Sequence, residues 1–403
     1  MGEKVRVGLV YGGRSGEHEV SLQTALAVMK AFDYSKYEIK PFYISKTGEW
    51  RAGDMLLAAP AGLEQLRLAG SSAIGTEALM PVFGSQGADE AADAADVDAA
   101  PAPASISSVP GKVTISSVST DVAVPEAEGT IDVVFPLLHG TFGEDGTIQG
   151  LFEMANIPYV GAGVLASAVG MDKITMKKIF AQEGLPQCIY RHFNRTQWKK
   201  DSSYYIMEIE VALGYPCFVK PANLGSSVGI SKARNRDELI AAVEYALRFD
   251  RKVIVEEFVD AREIEVSVLG NDEPRASVVG EITSSSEFYD YKAKYIDGKS
   301  MMHIPANITQ EQSDSVREMA LRAFLAIDGS GLSRVDFFLR KEDGQIFINE
   351  VNTMPGFTPY SMYPLMWKES GVPYTELLDT LIALAIERHA EKQTIDYSGG
   401  SPA

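Results

Sequence analysis

The sequence predicts an α/β unit followed by mixed α+β material, and three observations carry that reading. Lys4 to Val10 is an apolar run closed by Gly12-Gly13 and followed by an amphipathic stretch from Ser21 to Phe32, the pattern of strand, glycine turn and helix. Ile131-Asp-Val-Val-Phe-Pro-Leu-Leu has the composition of a buried strand and runs into His139-Gly140. After Pro216 the strict alternation of strand and helix gives way to consecutive β-rich runs.

Taken in order, Tyr37 to Ser45 is the second predicted strand. Asp172 to Gly184 is a predicted helix with Asp172 as its N-cap. Pro216 to Ser231 gives two β-rich runs around Ala-Asn-Leu-Gly-Ser-Ser, and a helix follows from Asp237 to Phe249. Strands are expected at Lys252–Val259, Glu263–Leu269 and Ala276–Ile282, then a helix at Glu311–Ala326. Arg334–Leu339 and Gln345–Asn352 form a hairpin around Asp343-Gly344, and a helix from Tyr374 to His389 ends the pattern. No internal repeat is visible.

A composition break interrupts this order. From Gly84 to Val134 there is no Phe, Trp or Tyr, and Gln86 to Ser108 contains no Lys or Arg. Such a segment buries too little apolar surface to offset its ordering entropy. Residues 84–130 are therefore expected to be a mobile surface insertion, with Lys112 to Val118 able to form a short hairpin arm.

The 403 residues suit two or three compact units, and an apolar fraction of 45% is enough for several cores. A formal net charge of −18 argues against broad nucleic-acid or anionic-membrane binding. Cys188 and Cys217 offer neither a disulfide framework nor metal-ligand spacing. The apolar run at the start is too short for a signal peptide, Arg6 stands where a myristoylation signal needs Ser or Thr, and no span approaches the ~18 apolar residues of a membrane helix. A cytoplasmic protein is expected.

Two constellations can carry chemistry. In Lys220-Pro-Ala-Asn-Leu-Gly-Ser-Ser-Val-Gly, small residues between strands let backbone N–H groups approach a polyphosphate, with Ser226 and Ser227 as further donors and Lys220 as a point charge. The plainer alternative is a flexible hairpin tip. In Arg334-Val-Asp336 and Glu350-Val-Asn352, strand periodicity puts Arg334 with Asp336, and Glu350 with Asn352, on single faces. Register decides whether the faces coincide. A two-residue turn sets Asp336 opposite Val351. A three-residue loop ending in a left-handed Gly344 pairs Lys341 with Gln345, sets Asp336 opposite Glu350 and Arg334 opposite Asn352, and is the one expected. Two facing carboxylates suit magnesium; the alternative is an amphipathic hairpin with a solvated face. Weaker signals lie in Glu256-Glu257-Phe258-Val259, in the aromatic and cationic loop Phe288–Tyr295, and in the acids of Gly12-Gly-Arg-Ser-Gly-Glu17-His-Glu19. No spacing supports a Ser-His-Asp triad or a zinc site.

In their shared order, Gly12 to Ser21, Leu138-His-Gly-Thr-Phe-Gly-Glu-Asp-Gly146, Met171-Asp-Lys173, Lys220 to Gly229, Tyr289 to Tyr295 and Glu350-Val-Asn-Thr-Met-Pro-Gly356 resemble the D-alanine–D-alanine ligase family of the ATP-grasp superfamily. The resemblance spans most of the chain outside 84–130. It implies an ATP-grasp fold with an N-terminal doubly wound α/β lobe (1–160), a central lobe (161–250) and a C-terminal lobe (251–395), the last two gripping ATP. It implies that Lys173, Lys220, Ser226, Ser227, Glu256, Val259, Glu263 and Lys294 contact ATP, Val259 through its backbone at the adenine and Lys294 at the γ-phosphate. Asp336, Glu350 and Asn352 would hold two Mg2+ ions, with Mn2+ able to substitute. Glu17 would receive the ammonium of the first D-alanine, linked with Ser226 and Tyr295. Arg334 and the Gly356 amide would form the oxyanion site, and Ser361 would lie at the second D-alanine.

The implied reaction makes D-alanyl-D-alanine for peptidoglycan through an acyl phosphate, in a homodimer with neither nucleic acid nor membrane as partner. Tyr295 favours D-alanine over D-lactate as acceptor; D-lactate and D-serine are the nearest rivals, and a non-catalytic ATP-binding regulator is the rival of another class. Two positions depart from the family pattern: Met362 stands where leucine is common, and Glu257 where some relatives carry lysine. No residue is identified as the base for the attacking amine.

Overall fold

The computed structural model describes residues 4–71, 73–74, 104–109, 112–117, 131–225, 228–283 and 301–396, with backbone alone for 104–109 and 112–117. A first sheet joins β1 (Val5–Gly12), β2 (Tyr37–Ile44), β3 (Trp50–Ala52), β4 (Ala73–Ile74) and β7 (Val133–Leu137) in the order β4-β3-β2-β1-β7. β1 runs parallel to both β2 and β7. A parallel sheet is covered on both faces, and here α1 (His18–Ala31) and α10 (Tyr374–Lys392) pack on one side while α2 (Thr147–Met154) packs on the other. The crossover reverses at β1, so the loops after β1 and β7 open a crevice at the carboxyl ends of the strands, where ligands bind in such sheets. β5 (Ala104–Val109) and β6 (Lys112–Ser117) pair as a separate hairpin, so the expected arm at Lys112–Val118 supplies one strand, and the other, β5, comes mostly from the segment read as unable to order. The rest of 84–130 lies outside the described residues.

The second sheet has the order β10-β9-β11-β8, from β8 (Tyr190–Asn194), β9 (Cys217–Pro221), β10 (Ser231–Ala233) and β11 (Lys252–Glu257). Its core is closed by α5 (Arg195–Lys200), α6 (Ser202–Ala212) and α7 (Arg236–Ala246). The third sheet, β14-β13-β12-β15-β16, comprises β12 (Ala261–Gly270), β13 (Arg275–Thr283), β14 (Met301–His303), β15 (Gly331–Arg340) and β16 (Ile346–Asn352). α3 (Val164–Met171), α4 (Lys173–Gln182) and α8 (Gln310–Ala326) cover one face of it, and α9 (Met362–Glu369) packs on the other. Asp172 caps α4 as expected, accepting from the N–H groups of Ile174 and Thr175. It also pairs with Lys252 of the second sheet. Residues 258–260 connect the second sheet to the third.

The β15–β16 hairpin corrects one expectation and bears out another. Arg334 pairs with Asn352 and Asp336 with Glu350, as required for the site. The connection, however, is a four-residue loop, 341–344, because the Arg340 N–H donates to the Gln345 carbonyl and Leu339 pairs with Ile346. Gly344 is left-handed at φ +72° as expected, with its N–H on the Arg340 carbonyl. The register is restored by a bulge: Phe337 pairs with Ile348, Asp336 with Glu350, and Asn349 is the extra residue. Strict alternation would put Ile348 and Glu350 on the same face. The bulge lets Ile348 join Val335, Phe337 and Val351 in the core while Glu350 and Asn352 face the other way.

Since Asn349 is the inserted residue, its deletion leaves every core pairing of the hairpin intact. A chain lacking Asn349 is expected to fold, with a smaller fall in Tm than deletion of Ile348 causes, measured by thermal unfolding. Equal losses from the two deletions would contradict the assignment of the bulge.

Candidate active site

Three groups of charged side chains meet where the sheets converge. On the hairpin face, Arg334 donates through Nε and Nη2 to the two oxygens of Asp336, at 2.7 and 2.8 Å. The Asn352 amide donates to Asp336 Oδ2 at 2.9 Å. Arg334 also lies 3.1 Å from Glu265, which sits opposite Asp336 on β12. Burial opposes the charge on Arg334, yet Asp336 and Glu265 outweigh it and raise its pKa well above the ordinary value. From α4, Lys173 reaches Glu350 at 3.3 Å and donates to the Leu224 carbonyl at 3.1 Å, which ties the hairpin to the small-residue loop.

The second group lies on the second sheet. Glu256 is only 3% exposed and accepts two cations, Lys177 at 2.9 Å and Lys220 at 2.5 Å. Burial alone would raise its pKa, but the two ammonium groups overcome that and hold it far below the carboxylate range. Burial likewise disfavours charged Lys220, while Glu256, followed by Glu350, raises it. Lys220 thus feels both carboxylate groups and links the two clusters.

The third group stands at the head of the first sheet. Glu17, just before α1, is buried, and its Oε2 lies so near Gly140 that a Cβ there would meet it at 2.5 Å. The same oxygen would lie 3.3 Å from a Cβ on Gly225, so Glu17 stands between the loop after β7 and the small-residue loop. Ser15 donates to the His139 carbonyl at 2.7 Å. His139 is buried, which lowers its pKa against the opposing pull of Glu17, so the ring is neutral at pH 7. Its Nδ1 lies 3.1 Å from the Met354 carbonyl and therefore carries the proton, while Nε2, 3.2 Å from Thr24 Oγ1, accepts.

Asp336, Glu350, Asn352, Arg334 and Lys173 are therefore gathered on one face, and Lys220 and Glu256 adjoin them. Gly356 and Ser361 are neighbours, since a Cβ on Gly356 would meet Ser361 Oγ at 3.1 Å. Ser361 Oγ is held by the Thr358 N–H at 3.1 Å. Val259 lies in the connector between the second and third sheets, and Glu263 stands on β12 opposite Phe338, two residues from Glu265 and on the same face of the sheet. Ser226, Ser227, Lys294 and Tyr295 lie outside the described residues. The expectation missed Lys177, Glu265 and Glu144. Lys177 is four residues from Lys173 on a helix, and Glu265 alternates with Glu263 on a strand, so periodicity held both signals. Glu144 gave none beyond its motif.

Two sheets facing each other across a carboxylate hairpin and a lysine-bearing small-residue loop make this an ATP-grasp fold. The D-ala D-ala ligase N-terminus family matches residues 6–162, and the D-ala D-ala ligase C-terminus family matches residues 179–383. The chain is 52% identical over 395 residues to the D-alanine–D-alanine ligase of Bacillus cytotoxicus, covering 98% of this chain and 99% of the relative. Among solved structures, the D-alanine-D-alanine ligase from Coxiella burnetii superposes with a TM-score of 0.72 at 31% identity, covering 98% of this chain and 97% of that one. VanG D-Ala:D-Ser ligase from Enterococcus faecalis superposes with a TM-score of 0.74 at 34% identity, covering 95% and 100%. The chain belongs to the D-alanine–D-alanine ligase family.

Because the folded pKa of Glu256 is depressed, the stability it contributes is present above its unfolded pKa and is lost as pH falls below that value, about 4.3. Glu256→Gln leaves Lys177 and Lys220 buried without a counter-charge and is expected to destabilise by about 3–5 kcal/mol at neutral pH. It should also flatten the acid limb of the stability–pH curve, measured by urea unfolding from pH 3 to 7. An unchanged acid limb would contradict the assigned role of Glu256.

Proposed function

We propose that this protein joins two D-alanines into D-alanyl-D-alanine with ATP, through a D-alanyl phosphate, and so supplies peptidoglycan synthesis. The observation that carries the reading is the shared face of Arg334, Asp336, Glu350 and Asn352, placed beside the Lys220–Glu256 pair. Lys173 and Lys220 take the phosphate side, and the backbone at Val259 takes the adenine. Glu263 also contacts the nucleotide, Ser226 and Ser227 close over the phosphates, and Lys294 approaches the γ-phosphate.

Glu17 holds the ammonium of the first D-alanine, which leaves its carboxylate directed at the γ-phosphorus. That carboxylate attacks, ADP departs, and an acyl phosphate forms. The amine of the second D-alanine then attacks the acyl carbon, and inorganic phosphate leaves with one of the original carboxylate oxygens. Arg334 and the Gly356 N–H donate to the oxyanion that develops, a preorganised electrostatic role. Ser361 holds the second substrate, and Tyr295 closes the site with Ser226. The amine proton has no assigned acceptor.

The donor set suits magnesium. Asp336 and Glu350 bring hard oxygens from facing strands, with the Asn352 amide beside them. Magnesium sites with one or two protein carboxylates take the rest of their shell from substrate phosphates and water. Two Mg2+ ions, or Mn2+ in their place, would be held by Asp336, Glu350 and Asn352 and would offset phosphate charge.

The three lobes of the proposal divide near 160 and 250. β11 pairs with β8 and β9 of the second sheet, and α3 and α4 add their apolar side chains to the core of the third sheet. No described helix is long and apolar enough to cross a membrane. A cytoplasmic homodimer that binds neither nucleic acid nor membrane completes the proposal. A second reading, D-serine as acceptor, has the likeness to VanG in its favour; the higher identity to the Bacillus relative favours D-alanine.

With ATP, magnesium and D-alanine, the protein should release phosphate and form D-alanyl-D-alanine as the main product, even with D-serine or D-lactate in competition. Absence of D-amino-acid-dependent phosphate release would overturn the ligase reading, and a mixed product would overturn only the acceptor. Asp336→Asn should lower kcat by about 100-fold or more and weaken the magnesium response; unchanged kinetics would remove Asp336 from the metal site.

A further inference from the structure

The turn after β7 holds a carboxyl group that the proposed reaction does not use. Glu144 accepts the Gly140 N–H at 2.6 Å through Oε2 and the Met354 N–H at 3.3 Å through Oε1. Gly140 is the residue that abuts Glu17, and Met354 stands two residues before Gly356. The Met354 peptide group is gripped again at its carbonyl, which accepts the His139 Nδ1–H at 3.1 Å. Met354 is thus held at both its N–H and its C=O by side chains from the 139–144 turn.

That turn is itself tightly built. The Glu144 N–H donates to the Gly140 carbonyl at 2.9 Å. A Cβ on Gly143 would meet the Leu138 carbonyl at 2.6 Å. Phe142 is left-handed at φ 67°, with its N–H on Asp145 Oδ2 at 2.8 Å. A rigid support of this kind transmits position to what it holds. Burial, then Glu17, raises the Glu144 carboxyl to about 8, against the two N–H donors and Arg334. A carboxyl kept beside Glu17 at that cost needs a role that a hydrocarbon of the same size cannot fill.

We infer that Glu144 is a positioning residue: by bridging the Gly140 and Met354 amides it sets the distance between Glu17, which anchors the first substrate, and the Gly356 N–H, which meets the oxyanion. The inference rests on the proposed ligation for its consequence and on the hydrogen bonds alone for its geometry. Displacing the oxyanion donor relative to the anchored carboxyl slows the chemistry and leaves nucleotide binding intact, because Lys173, Lys220 and Glu256 do not touch this turn.

The test compares Glu144→Gln and Glu144→Ala with the unaltered protein, using Glu153→Gln on the distant Lys392–Glu153 pair as a control. In both Glu144 variants kcat should fall about 10- to 100-fold while KM for ATP stays within about 3-fold. Amide hydrogen exchange at 353–357 should quicken, with exchange in β15 and β16 unchanged. Retention of kcat within about 3-fold in the isosteric Gln variant would overturn the inference. So would a lower kcat with unaltered exchange at 353–357, because the effect would then not pass through Met354. If Glu144→Ala does not fold, Glu144→Gln decides. If the unaltered protein forms no dipeptide, the proposed function fails, and exchange at 353–357 still decides whether Glu144 holds that loop.

Discussion

Everything at the centre of this molecule depends on neutralising carboxylates that the fold takes out of water. Asp336, Glu265 and Glu256 sit on strands whose other faces are hydrophobic core, where an ion without a partner costs several kcal/mol. The protein meets that cost with its own cations: Arg334 for Asp336 and Glu265, Lys173 for Glu350, and Lys177 with Lys220 for Glu256. Apart from Arg334–Asp336, both on β15, these pairs cross between elements. Lys173 and Lys177 come from α4, Lys220 and Glu256 from the second sheet, and the remainder from the third. Two of the ion pairs that make burial tolerable, Lys173–Glu350 and Lys177–Glu256, therefore tie α4 to both the third and the second sheet.

The arrangement has a chemical corollary. Cations held this close to carboxylates are already positioned for the negative charge that a polyphosphate brings. Carboxylates held by lysine and arginine can exchange those cations for a divalent ion. The hairpin bulge keeps the exchange geometrically available: were Asn349 to take a regular place in the ladder, strict alternation would force either Ile348 out of the core or Glu350 into it. Packing and site chemistry are thereby satisfied by one inserted residue.

Much of this was legible in the sequence, for stated reasons. The Asp172 cap, the strand–turn–helix at the start and the pairing of Asp336 with Glu350 follow from local periodicity and capping chemistry. The hairpin loop did not, because a bulge compensates a longer turn, and two errors that cancel leave no trace in spacing. Helix α6 was missed since Tyr204, Met207 and Val211 are apolar yet exposed, which erases the one-sided pattern that marks a helix. Glu144 meets Met354 across 210 residues, and no local rule brings the two together. The insertion drew an expectation of disorder from composition, while β5 and β6 pair within it.

In the proposed function the clustered cations and carboxylates serve an acyl-phosphate ligation rather than simple ATP hydrolysis. Isotope transfer tests it most directly. With D-alanine labelled by 18O in its carboxylate, ATP and magnesium, the released phosphate should carry one 18O per dipeptide formed, because the attacking carboxylate oxygen leaves with phosphorus. Phosphate free of 18O would mean that water, not the D-alanine carboxylate, attacks the γ-phosphorus, and would rule out the acyl phosphate.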